Sequence, residues 1–204
     1  MKRLTFMLLL LTSLSFGILF TTANFPTDHQ QRVSENQVVA RGKGFVIQAK
    51  DFVEYKTHVK TMLETAGRPF DTSNNDLIKE MIQRELLIRY AEEKGIRVTD
   101  EEARQFLQEQ RTAWDQSPEA RRYLDALIRA KGFTSNDAYW NDPSTLQMYK
   151  RTLLLEKLLE HLHQTGELNE NQTLENLEAE LYKRANIHID TNVLSQLDQV
   201  QYHV

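Results

Sequence analysis

Apolar residues recur at three- and four-residue steps along most of this chain, and the pattern predicts a protein built mainly from helices. The clearest stretch is a helix, a tight turn and a second helix over residues 74–106. Asn74, Asn75 and Asp76 can cap the first helix. The apolar face of that helix is formed by Leu77, Ile78, Met81, Ile82, Leu86 and Tyr90.

The turn between these two helices carries its own signals. Gly95 stands where a left-handed residue commonly ends a helix, and Ile96 can fold back on the last turn. Thr99 and Glu102 lie three residues apart, which is the spacing of a capping box that opens the next helix. Together these signals predict an abrupt corner between two helices.

The rest of the chain shows the same helical periodicity. It predicts further helices at residues 49–66, 117–131, 143–163 and 172–185. Thr134 and Asp137 have the spacing of a second capping box, ahead of a short helix. Apolar residues cover more than half the circumference of the helix at 143–163. That helix is therefore either central in the fold or covered by a partner.

Two short alternating stretches predict β-structure at the ends of the helical region. Residues 38–47 are two β-prone pieces around Gly42-Lys43-Gly44, which indicates a small hairpin, and residues 186–190 indicate a short strand. Pairing of the strand with the hairpin would bring the two ends together. A phosphate-binding loop would need more glycine and a Lys-Ser/Thr end, so we interpret the glycines as a turn.

The N-terminus resembles a secretory signal. Residues 1–23 begin with Lys2 and Arg3, continue with an apolar run and end in small residues that suit cleavage after Ala23. The run is also close to the lower limit for a membrane span, about 17 residues. Cleavage and retention as an N-terminal anchor both remain open, and either places the rest of the chain outside the cytoplasmic membrane. Residues 24–37 are polar and unpatterned, as in a linker.

Length and composition suit a single helical domain with extensions. The 204 residues are 40% hydrophobic, with only seven glycines and four prolines, which favours long helices. A net charge of −4 argues against nucleic acid as a partner. The absence of cysteine excludes disulfides and thiolate metal sites. We expect four segments, namely 1–23 as signal peptide or anchor, 24–37 as linker, 38–190 as the helical domain and 191–204 as a C-terminal tail.

Residues capable of chemistry are present but do not form a catalytic pattern. The acidic residues at 92–93 and 100–102 lie at a helix end and a helix start, where charge and capping account for them. His161 and His163 are two apart on a helix and point in different directions. His58 is interpreted as a packing or surface residue. No nucleophile triad, zinc-protease, phosphate-loop or dinucleotide motif occurs. We therefore expect no catalytic residue, no metal and no cofactor.

Several stretches carry a family resemblance. Gly44, Ile47 and Phe52 match a turn followed by a helix start. Residues 77–102 then match a run of Leu-Ile, Leu-Leu, Ala-x-x-x-Gly-Ile-x-Val and Ser/Thr-Asp-Glu-Glu. Both patterns, in this order, resemble the opening of SurA-like and PrsA-like extracytoplasmic chaperones.

The resemblance extends through the second half of the chain. Residues 123–162, with Gly-Phe-Thr and Tyr-Trp before a long helix, and residues 177–189 resemble the remaining helices and the closing strand of that chaperone domain. The matches together span about 38–190. The resemblance implies a mainly α, multi-helix SurA N-terminal-like domain with a small N-terminal β-hairpin and a short C-terminal strand.

One part of many such relatives is missing from this sequence. Their parvulin-type prolyl isomerase domain lies between the long helix and the closing helix, whereas here only a loop near Gly166 separates the two. A domain needs about 50 residues. The resemblance therefore implies the chaperone half without the enzyme half, and we expect no enzymatic activity.

The middle third of the chain is rich in large apolar and aromatic side chains, and these are the candidate peptide-binding residues. They are either ordinary core or an apolar cradle for extended chains. The resemblance favours the cradle, in an ATP-independent chaperone for unfolded or newly exported polypeptides. The candidates are Trp114, Tyr123, Phe133, Tyr139, Trp140, Met148 and Tyr149.

A second hypothesis belongs to a different class. The same fold can serve as a structural or adaptor protein of the envelope or spore, gripping one folded partner or a second copy of itself. The very apolar helix at 143–163 motivates this alternative. On either hypothesis we expect no nucleic acid partner, and membrane contact only through residues 1–23.

Overall fold

The structure is a computed structural model that describes residues 33–198. The predicted signal or anchor at 1–23, most of the predicted linker and the end of the tail lie outside the described residues. The described part is mainly helical with one small antiparallel sheet, which confirms the predicted fold class. No helix between residues 33 and 198 has the length and apolar character needed to cross a membrane.

Helices and strands follow one another in nearly the predicted order. A hairpin comes first, a run of helices follows, and a short strand and helix close the fold. The elements are β1 (Val38–Gly42), β2 (Phe45–Gln48), α1 (Ala49–Thr65), α2 (Asn74–Glu93), α3 (Asp100–Gln116), α4 (Pro118–Ala130), α5 (Asn136–Trp140), α6 (Pro143–Gln164), α7 (Leu174–Arg184), β3 (His188–Ile189) and α8 (Thr191–Gln196).

The sheet has the strand order β2-β1-β3, with both pairings antiparallel. Ala40 of β1 lies opposite Ile189 of β3, so the predicted contact between the two ends of the domain is confirmed. The hairpin turns at Gly44, whose φ of +85° suits glycine. Gly42 has no room for a side chain, since a Cβ there would lie 2.6 Å from the Phe45 ring.

The corner between α2 and α3 confirms its predicted signals. Gly95 has φ +78°, and the Ile96 amide donates to the Ala91 carbonyl at 2.9 Å. The Thr99 hydroxyl accepts from the amide of Glu102, and the carboxylate of Glu102 accepts from the amide of Thr99 at 2.8 Å. Local backbone chemistry therefore accounts for this corner.

Two other helix starts differ from the prediction by one residue. The cap of α2 is Ser73 rather than Asn74, and the cap of α5 is Ser135 rather than Thr134. Each serine keeps an extended backbone while its hydroxyl accepts from the amide three residues ahead, on Asp76 in α2. A capping residue needs both an extended backbone and a side-chain oxygen that accepts from the first turn. When several polar residues are adjacent, the sequence does not show which of them caps the helix.

The fold begins earlier than the predicted boundary at residue 38. Val33 is buried in the core beside the sheet and α1. The Gln37 carbonyl accepts from the amide of Ala49 at 2.8 Å, and the Glu35 carbonyl accepts from the amide of Lys50 at 3.0 Å. Residues 33–37 of the predicted linker are therefore part of the domain.

The fold also continues past the predicted end at residue 190. Helix α8 buries Val193 and Leu194, and Leu197 follows it into the same core. The Leu194 carbonyl accepts from the Asn74 side-chain amide at 3.0 Å, which ties α8 to α2. The part of the tail up to Leu197 is a core element.

Within residues 33–198 the core consists of three clusters. The first joins the sheet, α1, the start of α2 and α8, and the second joins the end of α2 to α3, α6 and α7. The third is aromatic and lies among α3, α4, α5 and the start of α6. Leu158 and Leu162 of α6 are fully buried, so that very apolar helix is central and is covered within the chain.

Candidate functional site

The structure brings all seven candidate residues into the third cluster, which we call the aromatic cluster. Its buried members also include apolar side chains of α3 and α4. The candidates come from four helices and the loops between them, so no single helix face would have grouped them. The cluster consists of Phe106, Leu124, Leu127, Ile128, Tyr139, Trp140 and Tyr149, with Leu107, Trp114, Tyr123, Phe133, Met148 and Leu153 partly buried around them.

Helix α4 forms one side of the aromatic cluster because its two ends are defined locally. The Ser117 hydroxyl accepts from the amide of Ala120 at 3.2 Å, and Pro118 occupies the first turn. At the other end, the Phe133 amide donates to the Ile128 carbonyl at 3.0 Å. This bond turns the chain back after α4 and directs the Phe133 ring against the cluster.

The short helix α5 and the start of α6 supply the buried rings of the aromatic cluster, Tyr139, Trp140 and Tyr149, which we call its floor. Asp142 caps α6 by accepting from the Ser144 amide at 2.8 Å, and Pro143 is the first helical residue. The Trp140 and Tyr149 rings lie 5.7 Å apart between centroids. Two consecutive local signals, a serine cap and an Asp-Pro start, therefore place these rings against each other.

Burial divides the seven candidates into two groups. Tyr139, Trp140 and Tyr149 are 1%, 4% and 3% exposed. They are core residues, and a bound chain cannot touch them in this conformation; this corrects the prediction that they contact peptide. Trp114, Tyr123, Phe133 and Met148 are partly buried and keep some surface in water. The accessible candidate site is made of these four.

Partly buried rings rest on buried ones. Phe133 meets Tyr139 edge to face at 5.5 Å, and Tyr139 meets Trp140 in the same way at 5.1 Å. Trp114 lies 5.4 Å from Tyr123. Aromatic pairs of this kind add about 0.5–1.5 kcal/mol each beyond their burial. The site is therefore a preformed surface on a rigid floor.

A histidine that the sequence analysis assigned to packing or to the surface touches this site. The Tyr123 hydroxyl lies 3.1 Å from Nε2 and 3.2 Å from Nδ1 of His58 in α1. Their rings are perpendicular, with an interplanar angle of 87°. The signal that could have found His58 is its spacing, three residues after Tyr55 and four before Met62, on the apolar stripe of α1.

The polar groups of the aromatic cluster are held neutral. Burial raises the pKa of Tyr139 to about 12 and raises the pKa of Tyr123 and of Tyr149 as well. Burial, followed by the nearby charges of Lys131 and Arg84, lowers the pKa of His58 to about 4. At neutral pH the cluster therefore carries no charge.

Ion pairs frame the aromatic cluster at its edges. Lys131, at the end of α4, pairs with Glu54 of α1. Arg111 of α3 pairs with Asp137 of α5 at 2.6 Å. These pairs connect the helices that surround the cluster, so the apolar surface has a polar rim.

The acidic residues at the start of α3 have structural partners. Asp100 pairs with Lys150 at 2.6 Å, and Glu102 pairs with Lys157 of α6. The Lys157 ammonium and the Thr99 cap lower the pKa of Glu102 to about 2. Across residues 33–198, no group of three or more His, Asp or Glu side chains is arranged to hold a metal ion.

Comparisons with protein-family models, with curated proteins and with solved structures found no match to this chain. The resemblance to SurA-like and PrsA-like chaperones therefore stays a prediction from sequence motifs.

Proposed function

We propose that this protein is an ATP-independent chaperone that binds apolar segments of unfolded polypeptide. One observation carries the proposal: Trp114, Tyr123, Phe133 and Met148 keep apolar surface in water while a buried aromatic floor holds them in place. The order of the sequence motifs, which resembles that of exported chaperones, is a second and independent support.

The physical requirements of such binding are modest, and this site meets them. Apolar area removed from water contributes about 25 cal/mol per Å² and has no directional preference, so clients of varied sequence can bind. Met148 adds a flexible side chain that adapts to different partners. No acid, base or cofactor is required. Binding of this kind is weak and tolerant of sequence, as a holding chaperone needs.

The proposal includes the location of the protein. The basic start and apolar run of residues 1–23 support export, with the domain either released or held at the membrane by that segment. Its clients are then newly exported polypeptides. The proposed activity has no isomerase component, because the loop between α6 and α7 leaves no room for such a domain.

The test is suppression of aggregation of an unfolded client by the purified full chain. We expect suppression at several-fold molar excess. The double variant Trp114→Ala, Phe133→Ala should lose most of it, because both substitutions remove accessible apolar area from the site. Val46→Ser is the matched control, since Val46 is 54% exposed on the sheet and far in sequence from the cluster.

The outcomes separate the hypotheses. No suppression by the unmodified protein would overturn the chaperone proposal. Equal suppression by the double variant and the unmodified protein would show that the aromatic cluster is not the binding site. Circular dichroism of both variants checks that they are folded before the comparison is made.

A second candidate function is an adaptor that grips one folded partner. Val38 and Val46 are 37% and 54% exposed and share the outer face of the sheet, opposite Phe45 and Ile47. Within residues 33–198 they are the exposed large hydrophobic side chains. A single stoichiometric partner in a pull-down, lost in Val46→Asp and with no general client binding, would favour this function.

A further inference from the structure

One titratable ring lies at the contact between α1 and α4. His58 belongs to α1, and its partner Tyr123 belongs to α4, 65 positions later in the chain. Helix α4 packs on α1, α3 and α5. Of these three neighbours, α3 and α5 contribute residues to the aromatic cluster and α1 does not. The His58–Tyr123 contact therefore joins the cluster to the rest of the domain.

The surroundings of His58 are unfavourable for a positive charge. Lys131 at the end of α4 and Arg84 of α2 face it as cations. Glu54, one turn earlier in α1, is the opposing carboxylate and is already paired with Lys131. The Tyr123 hydroxyl can still accept a hydrogen bond from a doubly protonated imidazole, but the phenol is neutral and supplies no counter-charge.

We propose that protonation of His58 separates α4 from α1 and exposes the side of the aromatic cluster at Tyr123 that His58 contacts, so that acid increases the apolar surface available to unfolded polypeptide. The opening involves the α1–α4 contact and the charges that face His58. Its consequence for client binding rests on the proposed chaperone function.

The direction of the pH effect follows from the pKa of His58 in the closed state and in the open state. In the closed state the pKa of His58 is lowered to about 4, and in an open state its ring returns to water and to the ordinary value of 6.5. A proton therefore binds the open state preferentially between these two values. The ratio of open to closed molecules rises about 20-fold on going from about pH 7 to about pH 5, and about 240-fold on going from about pH 7 to the acid limit.

The chain contains its own reporter of this opening. It has two tryptophans, Trp114 and Trp140, and both belong to the aromatic cluster. Tryptophan fluorescence of the full chain, excited selectively, therefore reports on the cluster alone. Acidification from about pH 8 to about pH 4.5 should move the emission to longer wavelength and increase binding of an apolar dye, while far-ultraviolet circular dichroism is retained.

Two variants identify the group responsible. His58→Gln should abolish the fluorescence change, because glutamine does not titrate in this range. His188→Gln is the matched control: His188 is exposed on β3, and its loss should leave the change intact. A change that persists in His58→Gln, or that disappears in His188→Gln, would overturn the proposal.

A measurement on the unmodified protein keeps the test independent of the fold of a variant. The ring protons of His58, followed by nuclear magnetic resonance, should titrate together with the fluorescence and with a midpoint below 6.5. A midpoint at the ordinary value, with no accompanying fluorescence change, would contradict the proposed opening.

Client binding separates the switch from the chaperone function. Acid-induced opening with stronger client binding in the unmodified protein but not in His58→Gln supports both. Opening without client binding at any pH overturns the chaperone function and leaves the opening intact. Equal client binding at neutral and acid pH, with no fluorescence change, overturns the switch and leaves the chaperone function intact.

Discussion

At the scale of single residues, His58 shows how a tertiary contact changes the chemistry of a common side chain. Its ring contacts Tyr123 and faces two cations, so the neutral form is favoured in the folded protein. An unfolded chain gains the proton near pH 6.5, whereas the folded protein gains it only near pH 4. The contribution of His58 to folding stability is therefore full above pH 6.5 and is lost as the pH falls toward 4.

A first residue-scale prediction concerns Lys131. Replacing it with methionine removes one of the cations that face His58 and leaves Glu54 unpaired beside the ring. Both effects favour imidazolium, so the pKa of His58 in Lys131→Met should rise toward, but not reach, its ordinary value, because burial remains. A magnetic resonance titration of the ring protons measures this pKa.

The control for this variant is Lys60→Met. Lys60 lies on the same helix as His58, one turn before its partner Glu64, and is exposed to solvent. The substitution removes the same charge without facing the ring, so the pKa of His58 should stay where it is in the unmodified protein. Equal shifts in the two variants would mean that net charge, and not the local contact, determines this pKa.

At the scale of elements, helix ends determine where the chain changes direction. Thr99 accepts from the amide of Glu102, which also pairs with Lys157 of α6. Glu102 therefore takes part both in the cap of α3 and in a tertiary contact with α6. Because α3 carries Phe106 and Trp114, the direction in which it starts affects the position of the aromatic cluster.

We expect Thr99→Ala to destabilise the protein by about 1 kcal/mol, since the cap of α3 is lost. Thr112→Ala in the same helix is the control. Its hydroxyl bonds to the Gln108 carbonyl within the helix, and alanine is the better helix former there. Denaturant unfolding measures both values. If Thr112→Ala lowered the free energy of unfolding as much as Thr99→Ala, the cap of α3 would not be the cause of the destabilisation.

At the scale of the whole molecule, the two ends of the described chain complete one core. Strand β3 pairs with β1, and α8 packs on β1 and α2. The Lys56 ammonium reaches the Leu197 carbonyl at 3.4 Å and pairs with Asp198. The first core cluster therefore depends on residues at both ends, and it forms only when the intervening helices are in place.

Leu197→Ala tests this dependence. Leu197 is fully buried at the end of the described fold, so its truncation leaves a cavity and should cost about 2–5 kcal/mol in the free energy of unfolding. Ser195→Ala, an exposed neighbour, should change this free energy by less than about 0.5 kcal/mol. Similar small effects from both would show that the end of the chain is not part of the core.

Local signals explain how much of this fold the sequence predicts. A glycine such as Gly95 ends a helix, and a pair such as Thr99 and Glu102 starts one, through hydrogen bonds that span a few residues. Helical periodicity and the alternation at 186–190 act over similarly short distances. The sequence alone therefore determined helices α1 to α7, the hairpin and the closing strand, with errors of one residue at caps such as Ser73, whereas α8 was placed in the tail.

Tertiary packing decided what local signals do not encode. Tyr139 and Phe133 are aromatic residues only six positions apart, yet Tyr139 is fully buried in the aromatic cluster and Phe133 keeps surface in water. Val33 belongs to no periodic run and Leu197 only to a short one at the end of the chain, and distant neighbours bury both residues. The contact of His58 with Tyr123 joins positions far apart in the chain. Burial and pKa depend on such neighbours, so the tertiary structure determines which residues form the accessible surface of the aromatic cluster.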